Sequence, residues 1–330
     1  MSEQTLHAPG HLLQDFFTLQ VRDVQQEAAG VLSVLLVPIE SSALPQWTPG
    51  AHIDVMLPNE MLRQYSLISD PDDHSAWRIA VLLDKDGRGG SRYIHTDLKP
   101  GGSLEVRGPK NHFPVGAFAG PIQFIAGGIG ITPLLPMLRE ADRKGADWNL
   151  LYLGSDRSSM PFLTELQKYG NRVRVHAKSE SGAMNLTAFV EGLGLQFVAS
   201  TYACGPFRML TELGELYRDG TRGEYYSELF DTAGSPVPEI EDGLSFVVET
   251  SGGSEVEVAA DETIIEALDR VGVRTLSSCR TGTCGTCETE VIEGIPDHRD
   301  AVLSLEERAA GETMMICVSR CVGDRLVLNI

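Results

Sequence analysis

The sequence predicts a multidomain chain: an antiparallel β-barrel, then an α/β domain on a parallel sheet, then a small α+β domain bearing most of the cysteines. Three observations carry this. Short apolar–polar alternating runs fill the first third, strand-like and helix-like runs alternate in the middle, and five of the six cysteines lie in the last quarter. At 330 residues the chain is long enough for two or three domains.

The first region runs from about Leu12 to Phe113. Its strand candidates are Phe17 to Val24, Val31 to Pro38, His52 to Met56, Arg63 to Ile68, Arg78 to Leu83 and Leu104 to Arg107. Pro49-Gly50, Asp86-Gly87 and Pro100-Gly101 supply turns between them. Many short strands at this spacing predict an antiparallel barrel.

In the second region, Ile122 to Ala126 is an apolar run, Gly127-Gly128-Ile129-Gly130 a turn, and Thr132 to Lys144 a helix. Asn149 to Leu153, Val173 to Ala177 and Phe197 to Ala203 are further buried strands, and Ser159 to Lys168 suits a helix. That alternation predicts a parallel sheet covered on both faces. Thr232 to Gly243, rich in Pro, Gly, Ser and acid, reads as a linker. The domains expected are therefore 1–115, 116–232 and 244–330, with the linker at 233–243. In the last domain, Leu244 to Thr250 and Glu255 to Val258 form a hairpin, Thr263 to Val271 a short helix, and Arg325 to Ile330 a closing strand.

Charge excludes some functions. The net charge is −19, and from Gly234 onward about 19 acids face about 7 bases. Nucleic acid binding needs the opposite sign. An acidic surface either solubilises the chain or steers it to a basic partner. No apolar run has the length of a membrane span, and MSEQTLHAPG lacks the pattern of a secretory signal. A cytoplasmic location away from membranes is expected.

The cysteine loop is the most specific motif. Cys279, Cys284 and Cys287 are spaced C-x4-C-x2-C, and Cys317 follows thirty residues later. This is the plant-type spacing for a [2Fe–2S] cluster, in which four thiolates converge on two irons. Gly282 and Gly285 allow the loop to turn tightly and aim backbone N–H groups at sulfur. A zinc site and disulfides are the alternatives. Zinc ribbons favour paired C-x2-C elements, and only one pair is present. Cys321 competes with Cys317 as the fourth ligand.

Two further motifs suggest nucleotide and ring binding. The Gly127–Pro133 turn joins a strand to a helix, where glycines let backbone approach a pyrophosphate at a helix N-terminus. Cys204-Gly205-Pro206 ends another buried strand. In an open parallel sheet both lie at the carboxyl edge, where ligands bind. Arg63-Gln64-Tyr65-Ser66 offers a cation for phosphate, an aromatic for a ring face and a hydroxyl for a ring nitrogen. Taken alone, an exposed Arg and a core Tyr are the default.

R-x-Y-S, G-G-I-G-I-T-P and C-G-P in this order resemble the ferredoxin–NADP⁺ reductase superfamily. With the C-terminal cysteine loop, Gly87–Tyr93 (GRGGSRY) and Asn111-His112-Phe113, nearly the whole chain resembles the phthalate dioxygenase reductase and vanillate O-demethylase reductase family. The resemblance implies an FMN-binding barrel, an NADH-binding α/β domain and a β-grasp ferredoxin domain. It implies flavin contacts from Arg63, Gln64, Tyr65 and Ser66, and a phosphate turn at Gly89, Gly90 and Ser91. It implies a nucleotide site at Gly128, Gly130, Thr132, Cys204, Gly205 and Pro206, with Glu228 and Phe230 closing the domain and Phe230 near the flavin ring. Thr132 is expected between flavin and nicotinamide, and Ser66 near flavin N5. The fourth cluster cysteine is expected in an I-C-V-S-R-like segment, which favours Cys317. Ser155 and Arg157 should lie near the adenosine ribose. Arg157 favours a 2′-phosphate and Asp156 opposes one; the family habit is NADH. The implied role is the reductase component of a two-component Rieske-type non-haem iron oxygenase, with that terminal oxygenase as partner.

Overall fold

The computed structural model describes residues 16–40, 43–58, 61–85, 87, 89–118, 120–193, 200–229 and 244–330. Six strands form the first sheet: β1 (Phe17–Ala28), β2 (Val31–Pro38), β3 (His52–Leu57), β4 (Met61–Ser66), β5 (Trp77–Leu82) and β6 (Ser103–Lys110). Their order is β4-β3-β6-β1-β2-β5, and every pairing is antiparallel. The two edges meet through a bridge between Leu67 and Ile79, which closes the sheet into the expected barrel. Alternation along the strands turns Val21, Val34, Leu36, Ile53, Val55 and Ile79 inward, where each is fully buried. Helix α1 (Gly90–Thr96) stands where the Gly-rich run suggested only a turn.

The second sheet comprises β7 (Ile122–Gly127), β8 (Trp148–Gly154), β9 (Val173–Ala177), β10 (Ser200–Gly205) and β11 (Tyr225–Leu229), all parallel. The order β11-β10-β7-β8-β9 reverses direction between β7 and β10. That reversal opens a crevice at the carboxyl ends of those two strands. Its helices are α2 (Ile131–Arg143), α3 (Leu163–Leu166), α4 (Lys178–Ser181), α5 (Leu186–Gly192) and α6 (Phe207–Tyr217). The single helix expected over Ser159–Lys168 is instead a 3₁₀ turn at Arg157–Ser159, the one-turn α3 and a 3₁₀ segment at Gln167–Arg172. Phe162 adopts a left-handed conformation (φ 64°) and breaks it.

Barrel and parallel sheet share one apolar core, in which Val31, Ile68, Ala80 and Phe113 pack with Phe124, Leu134 and Met137. Arg139 of α2 donates to the carbonyls of Ile68 (2.6 Å) and Ser69 (3.2 Å), and Arg143 pairs with Asp70 and Asp72. The helix that begins at the glycine turn thus grips the segment just after Arg63–Ser66. β1 to β11 belong to one compact unit.

A second unit holds β12 (Phe246–Thr250), β13 (Glu255–Val258), helix α7 (Ile264–Arg270), β14 (Glu288–Glu293), β15 (Pro296–Asp297), helix α8 (Leu305–Ala310), β16 (Thr313–Met315), β17 (Arg320–Cys321) and β18 (Arg325–Leu328). The main sheet runs β13-β12-β18-β14-β16, with first strand β12 parallel to last strand β18. Ile264, Ile265, Ala267 and Leu268 of α7 pack into its core. This is the β-grasp arrangement. Thr263 and Glu266 form a capping box on α7, worth about 1 kcal/mol. Among the described residues, no helix is long and apolar enough to cross a membrane. The linker expected at 233–243 lies outside the described residues.

Candidate functional site

Three groups of residues stand out. The first is on the barrel. Arg63 lies on β4, and its side chain runs against Gly90 at the start of α1: a Cβ on Gly90 would meet Arg63 Nε at 3.0 Å. Gly89 has φ +100°, and Ser91 Oγ receives the backbone N–H of Asp84 at 3.0 Å. Arg63 thus lies beside the first residue of α1, with the Ser91 hydroxyl one residue on, residue types suited to phosphate.

Ser66, at the end of β4, pairs in register with His52 on β3. Ser66 Oγ and His52 Nε2 are both buried and lack a hydrogen-bond partner. Register partners share a face, so two unsatisfied polar atoms point the same way. Such an atom costs about 1–3 kcal/mol unless a further group meets it. Burial and the neighbouring His112, whose ring centroid is 5.3 Å away, lower the His52 pKa to about 4. Tyr65 is buried in the barrel core. Gln64 donates to Asp54 at 2.9 Å, and Asp54 also pairs with Arg107 at 2.7 Å. The Gln64 side chain thus serves the barrel wall.

The second group lies at the crevice. A Cβ on Gly130 would meet the carbonyl oxygen of Cys204 at 2.2 Å, and one on Gly205 would meet Gly127 Cα at 2.9 Å. The two glycine-containing turns, about seventy-five residues apart in sequence, touch backbone to backbone. Gly128 takes φ +55° beside them. Thr132 is buried in the first turn of α2, its hydroxyl donating to Ile129 O at 2.9 Å. Pro206 precedes α6 and lies against Gly127.

Cys204 pairs in register with Glu228 on β11. Glu228 Oε2 is buried without a partner, and burial raises its pKa to about 8. Burial, then Glu228, pushes the Cys204 thiol well above its ordinary value. Sequence reasoning did not foresee this pairing of buried titratable groups, because it depends on strand register. Farther out, Arg157 is paired with Glu180 at 2.8 Å, and Asp156 accepts from Ser158 and Ser179. Ser155 O accepts from Ser179 N at 2.9 Å. Phe230 lies outside the described residues.

The third group is the cysteine loop. Cys279 lies within hydrogen-bond reach of Cys284 and Cys317, and Cys317 of Cys287. Accepting from Cys284 and Cys317 lowers the Cys279 pKa and raises theirs. The thiols form a chain, Cys284–Cys279–Cys317–Cys287. Among the described residues no three His, Cys, Asp or Glu side chains are grouped to hold one ion. Thr281 N–H points to Cys279 Sγ at 3.3 Å, and Gly282 and Gly285 have φ +73° and +69°. Cys321 lies apart, its thiol donating to Arg325 O at 3.3 Å.

Residues 32–114 match the family described as the oxidoreductase FAD-binding domain, and residues 247–322 the 2Fe-2S iron-sulfur cluster binding domain. The chain is 39% identical to phenoxybenzoate dioxygenase subunit beta of Ectopseudomonas oleovorans, over 92% of this chain and 95% of that one. It is 40% identical to a putative toluene-4-sulfonate monooxygenase system reductase subunit of Comamonas testosteroni, over 94% and 98%. The crystal structure of an intact type IV self-sufficient cytochrome P450 monooxygenase matches with a TM-score of 0.83 and 39% identity, over 96% of this chain and 41% of that one. Phthalate dioxygenase reductase, described as a modular structure for electron transfer from pyridine nucleotides to [2Fe–2S], matches with a TM-score of 0.69 and 32% identity, over 96% and 98%. The chain belongs to the phthalate dioxygenase reductase family of flavin and [2Fe–2S] oxidoreductases.

Proposed function

We propose that this protein carries electrons from NADH through FMN and a plant-type [2Fe–2S] cluster to a terminal Rieske-type non-haem iron oxygenase. The observation that carries the reading is the set of four cysteines, three on one loop and one on a distant segment, within the stretch that matches a 2Fe-2S cluster binding domain. The C-x4-C-x2-C spacing of the loop, with a fourth cysteine thirty residues on, suits two irons better than the paired C-x2-C elements of a zinc site. Bound flavin supplies the exchange of a hydride for two single electrons, and the cluster supplies a one-electron exit.

In this reading Arg63, Gly89, Gly90 and Ser91 hold the phosphate of FMN. Tyr65 borders the ring, and Ser66 Oγ, lacking a partner, bonds near N5. Gly128 and Gly130 admit the nucleotide pyrophosphate at the start of α2. Thr132, Cys204, Gly205, Pro206 and Glu228 line the nicotinamide end, and Phe230 covers the ring. Arg157 is occupied by Glu180 while Asp156 faces outward as a carboxylate, an arrangement that favours NADH over a 2′-phosphate. Cys279, Cys284, Cys287 and Cys317 hold the cluster.

The match to a cytochrome P450 monooxygenase favours a second reading of the partner alone, in which the acceptor is a haem oxygenase. Mixing the reduced protein with each oxygenase type distinguishes them by which acceptor is reduced.

Two assays test the site. Heat-released flavin should run as FMN on chromatography; FAD would correct that assignment. Cys317→Ser should lose the iron while Cys321→Ser keeps it, measured as iron per chain. The reverse pattern would overturn the ligand assignment.

A further inference from the structure

The four thiols come from two segments that must be held together whether or not iron is present. The Cys287 end of the loop is tied to the Cys317 segment by the main sheet, where Glu288 of β14 pairs with Met315 of β16 and Ile316 N–H donates to Cys287 O at 3.4 Å; the Cys279–Cys284 part of the loop lies outside that pairing. A short stretch, His298–Leu303, touches both that part of the loop and the Cys317 segment. On the loop side, Ala301 N–H donates to Gly282 O at 2.9 Å, and a Cβ on Gly282 would meet Asp300 Cα at 3.1 Å. Gly282 sits between Cys279 and Cys284 in sequence. On the other side, Arg299 N–H donates to Ser319 Oγ at 3.2 Å, and Ser319 follows Cys317 by two residues. Val318, next to Cys317, closes over Gly282 as well, its Cγ2 lying 2.6 Å from where a Cβ would stand.

Asp300 organises this stretch. Its side chain is fully buried. Its Oδ2 accepts from Val302 N at 3.0 Å and Leu303 N at 2.8 Å, and its Oδ1 accepts from Ser319 Oγ at 3.5 Å. Arg308 of α8 approaches the carboxylate to 3.7 Å and also donates to Asp300 O. The buried His298 imidazole lies 3.9 Å from Oδ1, and neither ring nitrogen has a hydrogen-bond partner. A buried carboxylate costs several kcal/mol of desolvation, so its hydrogen bonds must fix the backbone around it closely.

We propose that Asp300 is a positioning residue for the cluster: it clasps the cysteine loop to the Cys317 segment, and its buried negative charge helps set the cluster's reduction potential. The inference rests on the [2Fe–2S] reading above. Groups around the ligands hold the first shell in place, and their loss commonly weakens metal retention about 10–100-fold. Net charge near an iron–sulfur centre also sets its potential, and a nearby anion makes electron uptake harder.

The test compares wild type with Asp300→Asn, Ser319→Ala and the exposed control Asp324→Asn, all as full-length protein. Iron per chain, flavin per chain, the rate of iron release to a chelator and the cluster midpoint potential are measured for each. Asp300→Asn should release iron about tenfold faster, keep its flavin, and show a more positive potential. Ser319→Ala keeps the carboxylate and loses the bonds through Oγ; it should speed release by less and leave the potential near wild type. It also keeps the proposal testable if Asp300→Asn fails to fold. Release rates and potential at wild-type values in Asp300→Asn would overturn the clasp, as would equal changes in Asp324→Asn. Wild type without iron would refute the cluster reading and the clasp with it, whereas an iron-loaded Asp300→Asn indistinguishable from wild type refutes the clasp alone.

Discussion

Ser66 and Glu228 each present a buried oxygen with no partner, at the ends of strands that flank the proposed flavin and nicotinamide sites. Sequence marked both positions, but only register and burial show that their polar atoms are left open. Glu228 carries a measurable consequence. Its pKa is raised by burial from 4.5 to about 8, so the folded chain holds a proton that the unfolded chain releases. Its contribution is fully present below about pH 4.5 and is lost as pH rises to about 8, beyond which the penalty is constant. Glu228→Gln cannot ionise. Its melting temperature should match wild type near pH 4.5 and exceed it by a growing margin up to about pH 8. A margin independent of pH would contradict the buried, neutral carboxyl. Asp300 was missed altogether at this scale. The polar run Pro296-Asp-His-Arg-Asp between Cys287 and Cys317 was its only sequence signal, and nothing in that run says which backbone groups it binds.

Among the elements, the strands were the most legible. Val31–Pro38, Val173–Ala177 and Glu255–Val258 form over the residues that their patterning indicates. Glu255–Val258 buries every second side chain, as its pattern indicates, whereas Val173–Ala177, expected to be buried, forms an edge strand in which Ala177 is the buried residue. Legibility failed where local chemistry and tertiary packing compete. α1 begins in a glycine-rich run that reads as a turn, and it forms because its buried Ile94 packs into the barrel core while His95 bonds Val81 O at 3.0 Å. The glycine turn after β7 falls at the crevice where its pattern puts it, but the sequence does not show the reason for Gly130. A side chain there would collide with the Cys204 carbonyl, forcing β7 and β10 apart at the crevice. Gly130→Ala should therefore retain flavin, which the barrel holds, and lose most of its rate of flavin reduction by NADH. Stopped-flow absorbance measures this; an unchanged rate would show that the contact is dispensable.

Across the whole molecule, two motif sets lie in one compact unit and the cysteine loop in another. The connection within the first unit is explicit: α2 starts at the glycine turn, and its Arg139 and Arg143 hold the barrel just past Ser66. In the proposed function, the surplus acid of the C-terminal unit serves to steer it to a basic docking surface. Reduction of the oxygenase should slow severalfold as ionic strength rises from about 0.05 to about 0.5 M, while reduction of the flavin by NADH changes little. Salt-independent transfer to the oxygenase would leave the acid as a solubilising surface only. The central claim is an electron path that enters at NADH and leaves at the cluster. Anaerobic titration of the purified protein with NADH, followed by visible absorbance and low-temperature EPR, tests it most directly. Both flavin and iron–sulfur bands should bleach, with the signal of one reduced [2Fe–2S] centre per chain. Flavin bleaching with a cluster that stays oxidised, or a protein containing zinc and no iron, would contradict it.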